Sequence, residues 1–309
     1  MGWNDRNERI AVFEDTMNMC NQNKFLRDSI LRSIAAQRLY YEDDDIAGVL
    51  GERGNDSDSS FMNHKEPMPV YDSDADIIVS KKRSFEAAGV YAKSQKVCVL
   101  NFASATNPGG GVKKGSSAQE ECLCRCSSLY PCISADTVRR GFHERHRKML
   151  STGKLSMLYN DDCIYTPGVP VFKKDSPVPR ILPEKEWFMV DVITCAAPNL
   201  RSKPSNYLDP ASGTEAVKIR NSDLKVLHEK RASRIFDVAK ANGVEIMILG
   251  AFGCGAFQNP PEIVAAGICG AVKQLHRRDF RTIEFAVFCP PGHTENYDAF
   301  RKVFGEDIR

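Results

Sequence analysis

No stretch of this sequence stays apolar for the roughly 18 residues that a membrane helix needs. Its polar start, Met1 to Arg9, is not followed by the apolar core of a secretion signal. Neither a membrane span nor an export signal is expected. Net charge is nearly absent as well, with 42 Lys and Arg against 40 Asp and Glu in 309 residues. No electrostatic footprint for duplex nucleic acid follows from that balance. The one local basic cluster, Arg139, Arg140, Arg145, Arg147 and Lys148, is expected on a solvated helix face. A G-x-x-x-x-G-K-[ST] motif is missing, which excludes a Walker A grip on phosphate, and no G-x-G-x-x-G opens the first strand–helix turn. Paired C-x-x-C spacing is lacking too. Cys122, Cys124, Cys126 and Cys132 follow a C-x-C-x-C pattern with no His beside it, which favours buried small side chains over zinc. The eleven cysteines are odd in number and lie mostly in apolar segments. They suit reduced thiols in a cytosol or nucleus better than a disulfide framework.

What is present is an ordinary globular composition, 42% hydrophobic. Two leading segments, Asn4 to Cys20 and Phe25 to Leu39, carry apolar residues at helical spacing. Residues 43–65 are acidic, rich in Gly and Ser, and expected to form a surface loop. The pattern then alternates. Strands are expected at 77–80, 97–102, 187–195, 244–249 and 283–288, and helices at 84–92, 118–129, 135–150, 224–242, 260–276 and 296–303. Such alternation implies a largely parallel or mixed sheet covered on both faces. Pro167 to Pro183 holds five prolines and is expected to run irregularly over the surface, as is Leu200 to Gly213.

Two loops carry the chemistry. Asn101 to Gly111 follows a strand and ends in Asn107, Pro108, Gly109, Gly110 and Gly111. Three glycines cost roughly 0.5–1 kcal/mol each relative to alanine within an element. They permit a backbone nest of N–H groups that can hold an anion. The second loop, Gly250 to Pro261, lies between a strand and a helix N-terminus and includes Gly253, Cys254, Gly255, Ala256 and Phe257. That position favours a phosphate. Of its two aromatics, Phe252 and Phe257, one could pack beneath the loop and one could face a sugar or base. Directly after the first loop, Gln119, Glu120 and Glu121 open a helix. Adjacent first-turn acids are ordinary by themselves; beside an anion loop they become candidate catalytic groups.

The run Gly109-Gly110-Gly111, seven residues, then Gln119-Glu120-Glu121 resembles the signature of the microbial-type poly(ADP-ribose) glycohydrolases, which have a macrodomain fold. Asp191 to Asn199 resembles that family's central strand and its exit, Gly250 to Pro260 its second phosphate loop, and Arg125 to Tyr130 the continuing motif helix. The likeness runs from about Asn4 to Phe304, while 43–65 and 167–186 fall on no motif. The resemblance implies an α/β, macrodomain-like mixed or parallel sheet sandwiched between helices. A helical extension over about 4–40 precedes it, all within one catalytic domain spanning 1–309.

It also implies a poly(ADP-ribose) glycohydrolase that needs no cofactor and no metal. Its ligand would be ADP-ribose or poly(ADP-ribose) on modified macromolecules. Glu121 would be the general acid and then the base, Glu120 would orient the terminal ribose, and Gln119 would help hold that sugar. Asn107, Gly109, Gly110, Gly111, Gly253, Cys254, Gly255, Ala256 and Phe257 would bind substrate, with both loops gripping the pyrophosphate. One tension is physical. A helix N-terminus lowers a nearby carboxyl's pKa, yet a general acid must keep its proton near neutrality. Glu121 is therefore expected to become a competent acid mainly once substrate is bound. The alternatives are a hydrolase of mono-ADP-ribosylated protein or nucleic acid, and a binding module without catalysis.

Overall fold

The computed structural model describes residues 6–46, 70–176, 178–207, 210–211 and 213–306. The loop expected at 43–65 lies, from residue 47 on, outside the described residues. Two helices lead, α1 (Arg6–Gln22) and α2 (Lys24–Ala36). Phe13, Thr16 and Cys20 form the buried face of α1, at the spacing a helix stripe requires. The Asn23 side chain caps α2 by accepting from Leu26 N–H at 3.1 Å. Then follow β1 (Arg38–Tyr40), β2 (Asp76–Ser80), α3 (Ser84–Tyr91), β3 (Val97–Phe102), α4 (Gln119–Cys126), α5 (Leu129–Ile133) and α6 (Asp136–Val138). A π-helical stretch, Arg139–Glu144, joins α6 to α7 (Arg145–Ser151). The remainder is β4 (Cys163–Val171), β5 (Phe188–Cys195), α8 (Asn221–Ala241), β6 (Ile246–Leu249), α9 (Pro261–Ala271), β7 (Thr282–Ala286) and α10 (Glu295–Glu306).

The strands form one sheet in the order β1-β4-β5-β3-β6-β7-β2. It is parallel from β5 to β2 and antiparallel where β4 meets β1 and β5. This is the mixed sheet expected from the alternating pattern. Alternate side chains of β3 serve opposite faces. Val97 and Val99 pack with Phe13, Phe85 and Leu123 on one side, and Cys98 and Leu100 pack with Phe236, Val264 and Phe285 on the other. Burial on both faces explains why the central strands are largely apolar rather than alternating. Each fully buried Val or Leu contributes roughly 1.5–3 kcal/mol.

Three elements differ from expectation. β1 and β4 were not foreseen as strands, and Pro167–Val171 is not an irregular excursion but the second half of β4. Pro167 and Gly168 sit where the β4–β5 register shifts, between Thr166 and Val169. A bulge needs no ladder N–H at that point, so it tolerates proline. The helix expected over 118–129 ends at Cys126. Ser127 turns extended to bridge Val171, and its hydroxyl donates back to Leu123 O at 2.8 Å. That local side-chain bond competes with continued helix. The described part of Leu200–Gly213 holds neither helix nor strand.

The basic cluster lies beside carboxylates: Arg139 pairs with Asp136 and Glu144, and Arg145 with Asp162. No described helix is long and apolar enough to cross a membrane.

Candidate active site

β3 and β6 are neighbouring parallel strands, so the loops leaving their C-terminal ends lie side by side. Between them opens a cleft of about 600 Å³, lined by Gly110, Gly111, Gln119, Glu120 and Glu121 on one side and by Gly253, Gly255, Ala256 and Phe257 on the other. Asn107, Gly109 and Cys254 do not line it.

Glu120 and Glu121 are buried, at 3% and 7% exposure. The first loop holds them. Gly109 N–H donates to Glu120 Oε1 at 3.2 Å, and Gly111 N–H donates to Glu121 Oε1 at 2.9 Å. Gly110 N–H donates to Asn107 O at 2.9 Å. Ser104 N–H (2.8 Å) and the Asn101 amide (3.3 Å) complete the donors to Glu120. The three glycine N–H groups are thus occupied, two of them by the carboxyl pair. Gly110, at φ +55°, is required by that packing: a Cβ there would lie 2.7 Å from Glu121 Oε1 and 3.2 Å from Glu120 Oε2.

Gln119 has other partners than a ligand. Its amide nitrogen donates to Leu100 O (2.8 Å) and Ser84 Oγ (3.1 Å), and its oxygen accepts from Phe102 N–H at 2.9 Å. It ties the start of α4 to the end of β3. The leading helix α1 supports α4 from outside. Thr16 Oγ1 donates to Arg125 O at 2.6 Å, and buried Lys173 donates to Thr16 Oγ1 at 2.8 Å.

Burial pushes Glu120 up to about 8, with repulsion from Glu121 behind it. The Ser104, Asn101 and Gly109 donors pull the other way. Glu121 is raised too, chiefly by burial, against the Gly111 N–H and the Arg125 charge. Desolvation therefore outweighs the helix-terminal donors at both carboxyls. Glu121 Oε2 is buried and has no hydrogen-bond partner. An orphaned buried oxygen beside a cleft is a place for a ligand hydroxyl.

The second loop is arranged differently. Its turns close through Phe252, Cys254, Gln258 and Asn259 N–H groups. The N–H groups of Gly253, Gly255, Ala256 and Phe257 make no hydrogen bond within the described protein. Phe252 packs beneath, 5.5 Å from the Phe102 ring centroid, while Phe257 lines the cleft with the Arg201 guanidinium 5.7 Å from its ring. Buried Asn259 knits the loop to the exit of β5, donating to Pro198 O at 2.7 Å and Gly253 O at 3.1 Å. The helix N-terminus itself offers little. Pro260 and Pro261 lack N–H groups, and Pro260 O already takes those of Ile263 and Val264. The anion donors are loop amides.

Ser104, within the first loop, also lines the cleft, as do Arg6, Arg9, Arg201 and Asn206, to which no sequence motif pointed. Arg6 and Arg9 reach it because α1 folds back across the first loop, with Arg9 Nε on Gly115 O at 2.6 Å. Among the described residues, no group of three His, Cys, Asp or Glu side chains gathers as a metal site.

Residues 7–174 match the model of the microbial-type PARG catalytic domain. Solved structures agree over most of the chain. Poly(ADP-ribose) glycohydrolase from Thermomonospora curvata is similar at 27% identity and a TM-score of 0.75, covering 96% of this chain and 100% of that one. The same enzyme bound to the inhibitor ADP-HPD aligns at 25% identity and 0.72, covering 96% and 99%. The Deinococcus radiodurans glycohydrolase in complex with ADP-ribose aligns at 26% identity and 0.67, covering 90% and 97%. No curated protein sequence matches significantly. With the family model spanning more than half of its length, and with two glycine loops facing each other across a buried glutamate pair, this chain belongs to the microbial-type PARG family.

Proposed function

We propose that this chain is a poly(ADP-ribose) glycohydrolase that hydrolyses ribose–ribose O-glycosidic bonds and releases ADP-ribose. One observation carries the reading: a carboxyl pair whose acidity burial weakens faces, across one cleft, four backbone N–H groups that have no partner among the described residues. The carboxyls suit a glycosidic bond, and the amides suit a pyrophosphate. The relatives bound to ADP-ribose and to ADP-HPD support the ligand class.

Glu121 protonates the leaving ribose oxygen as the bond to the anomeric carbon breaks and an oxocarbenium-like centre forms. Its carboxylate then takes a proton from the water that attacks that carbon. Glu120 receives hydroxyls of the terminal ribose. Gly253, Gly255, Ala256 and Phe257 N–H groups grip the pyrophosphate, and the Phe257 ring packs against the distal ribose. Gly110 and Gly111 leave room for the sugar. Asn107, Gly109 and Gln119 act by positioning the carboxyls and the strand end, and Cys254 packs behind the loop. One shared sheet supports a single catalytic domain over 1–309. Free cysteines throughout suit a reducing compartment, cytosol or nucleus.

The test is incubation of the purified protein with automodified polymer and with mono-ADP-ribosylated protein, measuring free ADP-ribose. Release from polymer is expected. Release only from mono-modified protein would make it the other hydrolase, and tight binding without release from either would make it a reader.

A further inference from the structure

Beside the cleft stands a second concentration of charge that the mechanism above leaves unused: Arg6 lines the cleft, while Lys113 and Lys114 lie in the turn between its lining residues Gly111 and Gly115. Arg6 and Arg9 lie three residues apart on α1, hence on one helix face, and both line the cleft beside Gly111 and Glu121. The Arg6 guanidinium bonds the Tyr207 hydroxyl and lies 5.7 Å from that ring's centroid. Lys114 approaches the same side chain, 5.9 Å from the centroid, with its ammonium on Tyr207 O at 2.7 Å. Lys113 is its exposed neighbour. Arg6 and Lys114 meet Tyr207, and Lys113 meets the Tyr130 ring, all of them uncharged partners. Among the described residues none of these three meets a carboxylate at ion-pair distance. By contrast, Arg139, Arg145, Lys173 and Arg231 all do.

This rim stands on the acid's side of the cleft. Gly111, whose N–H holds Glu121, leads directly into the turn Val112–Lys114 that carries both lysines. The unoccupied amides for the terminal unit's pyrophosphate lie on the opposite wall. In a polymer the leaving group is a ribose of the next unit, and that unit brings its own pyrophosphate past the acid. Free ADP-ribose has no such second anion.

We propose that Arg6, Lys113 and Lys114 form a second anion subsite, which takes the pyrophosphate of the departing polymer unit and so favours polymer over single ADP-ribose groups. The proposal rests on the glycohydrolase reading. Exposed cations act mainly through steering and screened attraction, so the effect is moderate and salt-dependent.

The experiment measures affinity for short poly(ADP-ribose) chains and for ADP-ribose at low and high salt. All proteins carry Glu121→Gln, so that polymer survives. Arg6→Gln and Lys114→Gln should each weaken polymer binding about three- to tenfold while changing ADP-ribose binding less than about twofold. Arg6→Lys, which keeps the charge, should retain polymer affinity, and the losses should shrink at high salt. Lys114→Gln keeps a donor for Tyr207 O, so it decides the matter if Arg6→Gln does not fold. Equal losses for both ligands, or no loss for polymer, would overturn the subsite. So would single-stranded DNA of matched charge competing as well as polymer. Failure of the glycohydrolase reading would appear separately, as unmodified protein that releases no ADP-ribose, and the binding ratio would still decide the rim.

Discussion

The two glycine-rich loops look alike in sequence and do opposite things. In the first, every glycine N–H already has an acceptor, and two of those acceptors are Glu120 and Glu121. In the second, four consecutive or near-consecutive N–H groups have none among the described residues. A nest of backbone donors attracts an anion in either case. The first nest finds its acceptors within the chain, in two carboxyl groups ten and eleven residues away, and the second offers its donors to a ligand. The contrast teaches that glycine content marks where backbone can serve an acceptor, while the hydrogen bonds say whose acceptor it is.

The contrast breaks most severely at Gly110. Its missing Cβ leaves the space into which both carboxyls converge. Gly110→Val should cut polymer turnover by on the order of 10⁴-fold, the upper range for losing acid–base catalysis. Initial rates above a tenth of wild type would mean that the carboxyls move aside freely.

A smaller effect tests the pair's charge. Glu120 titrates near 8 in the folded chain, against 4.5 for a free carboxyl. Between those values the folded state keeps a proton that the unfolded state has released, so stability falls as pH rises through the window. The melting temperature of Glu120→Gln relative to wild type should therefore climb from about pH 5 to about pH 8. Parallel curves would show that burial does not hold that proton. Smallest is Gly255→Ala. Nothing lies within 4 Å of its added Cβ, so the fold should be unaffected. A ligand gripped by the adjacent amides would meet the methyl group, and ADP-ribose affinity should drop about tenfold by calorimetry, the loss of one or two good hydrogen bonds. Unchanged affinity would move the pyrophosphate elsewhere.

Much of this was legible beforehand, for reasons that differ by element. β3, at Val97–Phe102, was read to the residue because burial on both faces leaves a run that is apolar but for Asn101. β4 was hidden because Pro167 and Pro170 argue against a strand; only the partner strand reveals the bulge that admits Pro167, while Pro170 pairs in register with Met189. The glutamate pair and both loops were legible from spacing. The occupancy of the first loop's donors was not, since it depends on which carboxyl oxygen each N–H reaches. Nor was the direction of the acid's pKa. The helix terminus is visible in sequence, but the burial that raises Glu121 against it is a tertiary property. Arg6 and Arg9 carried no motif, and only the fold-back of α1 brings them to the cleft.

The central claim is that the first loop serves the acid and the second serves the ligand. Calorimetry of ADP-ribose binding set against polymer turnover, both in Glu121→Gln, tests it most directly. The substitution keeps shape and much of the hydrogen bonding but cannot deliver a proton. Turnover should fall about 10²–10⁴-fold with ADP-ribose affinity held within a few-fold. Near-wild-type hydrolysis, or a collapse of binding that matches the loss of turnover, would contradict it.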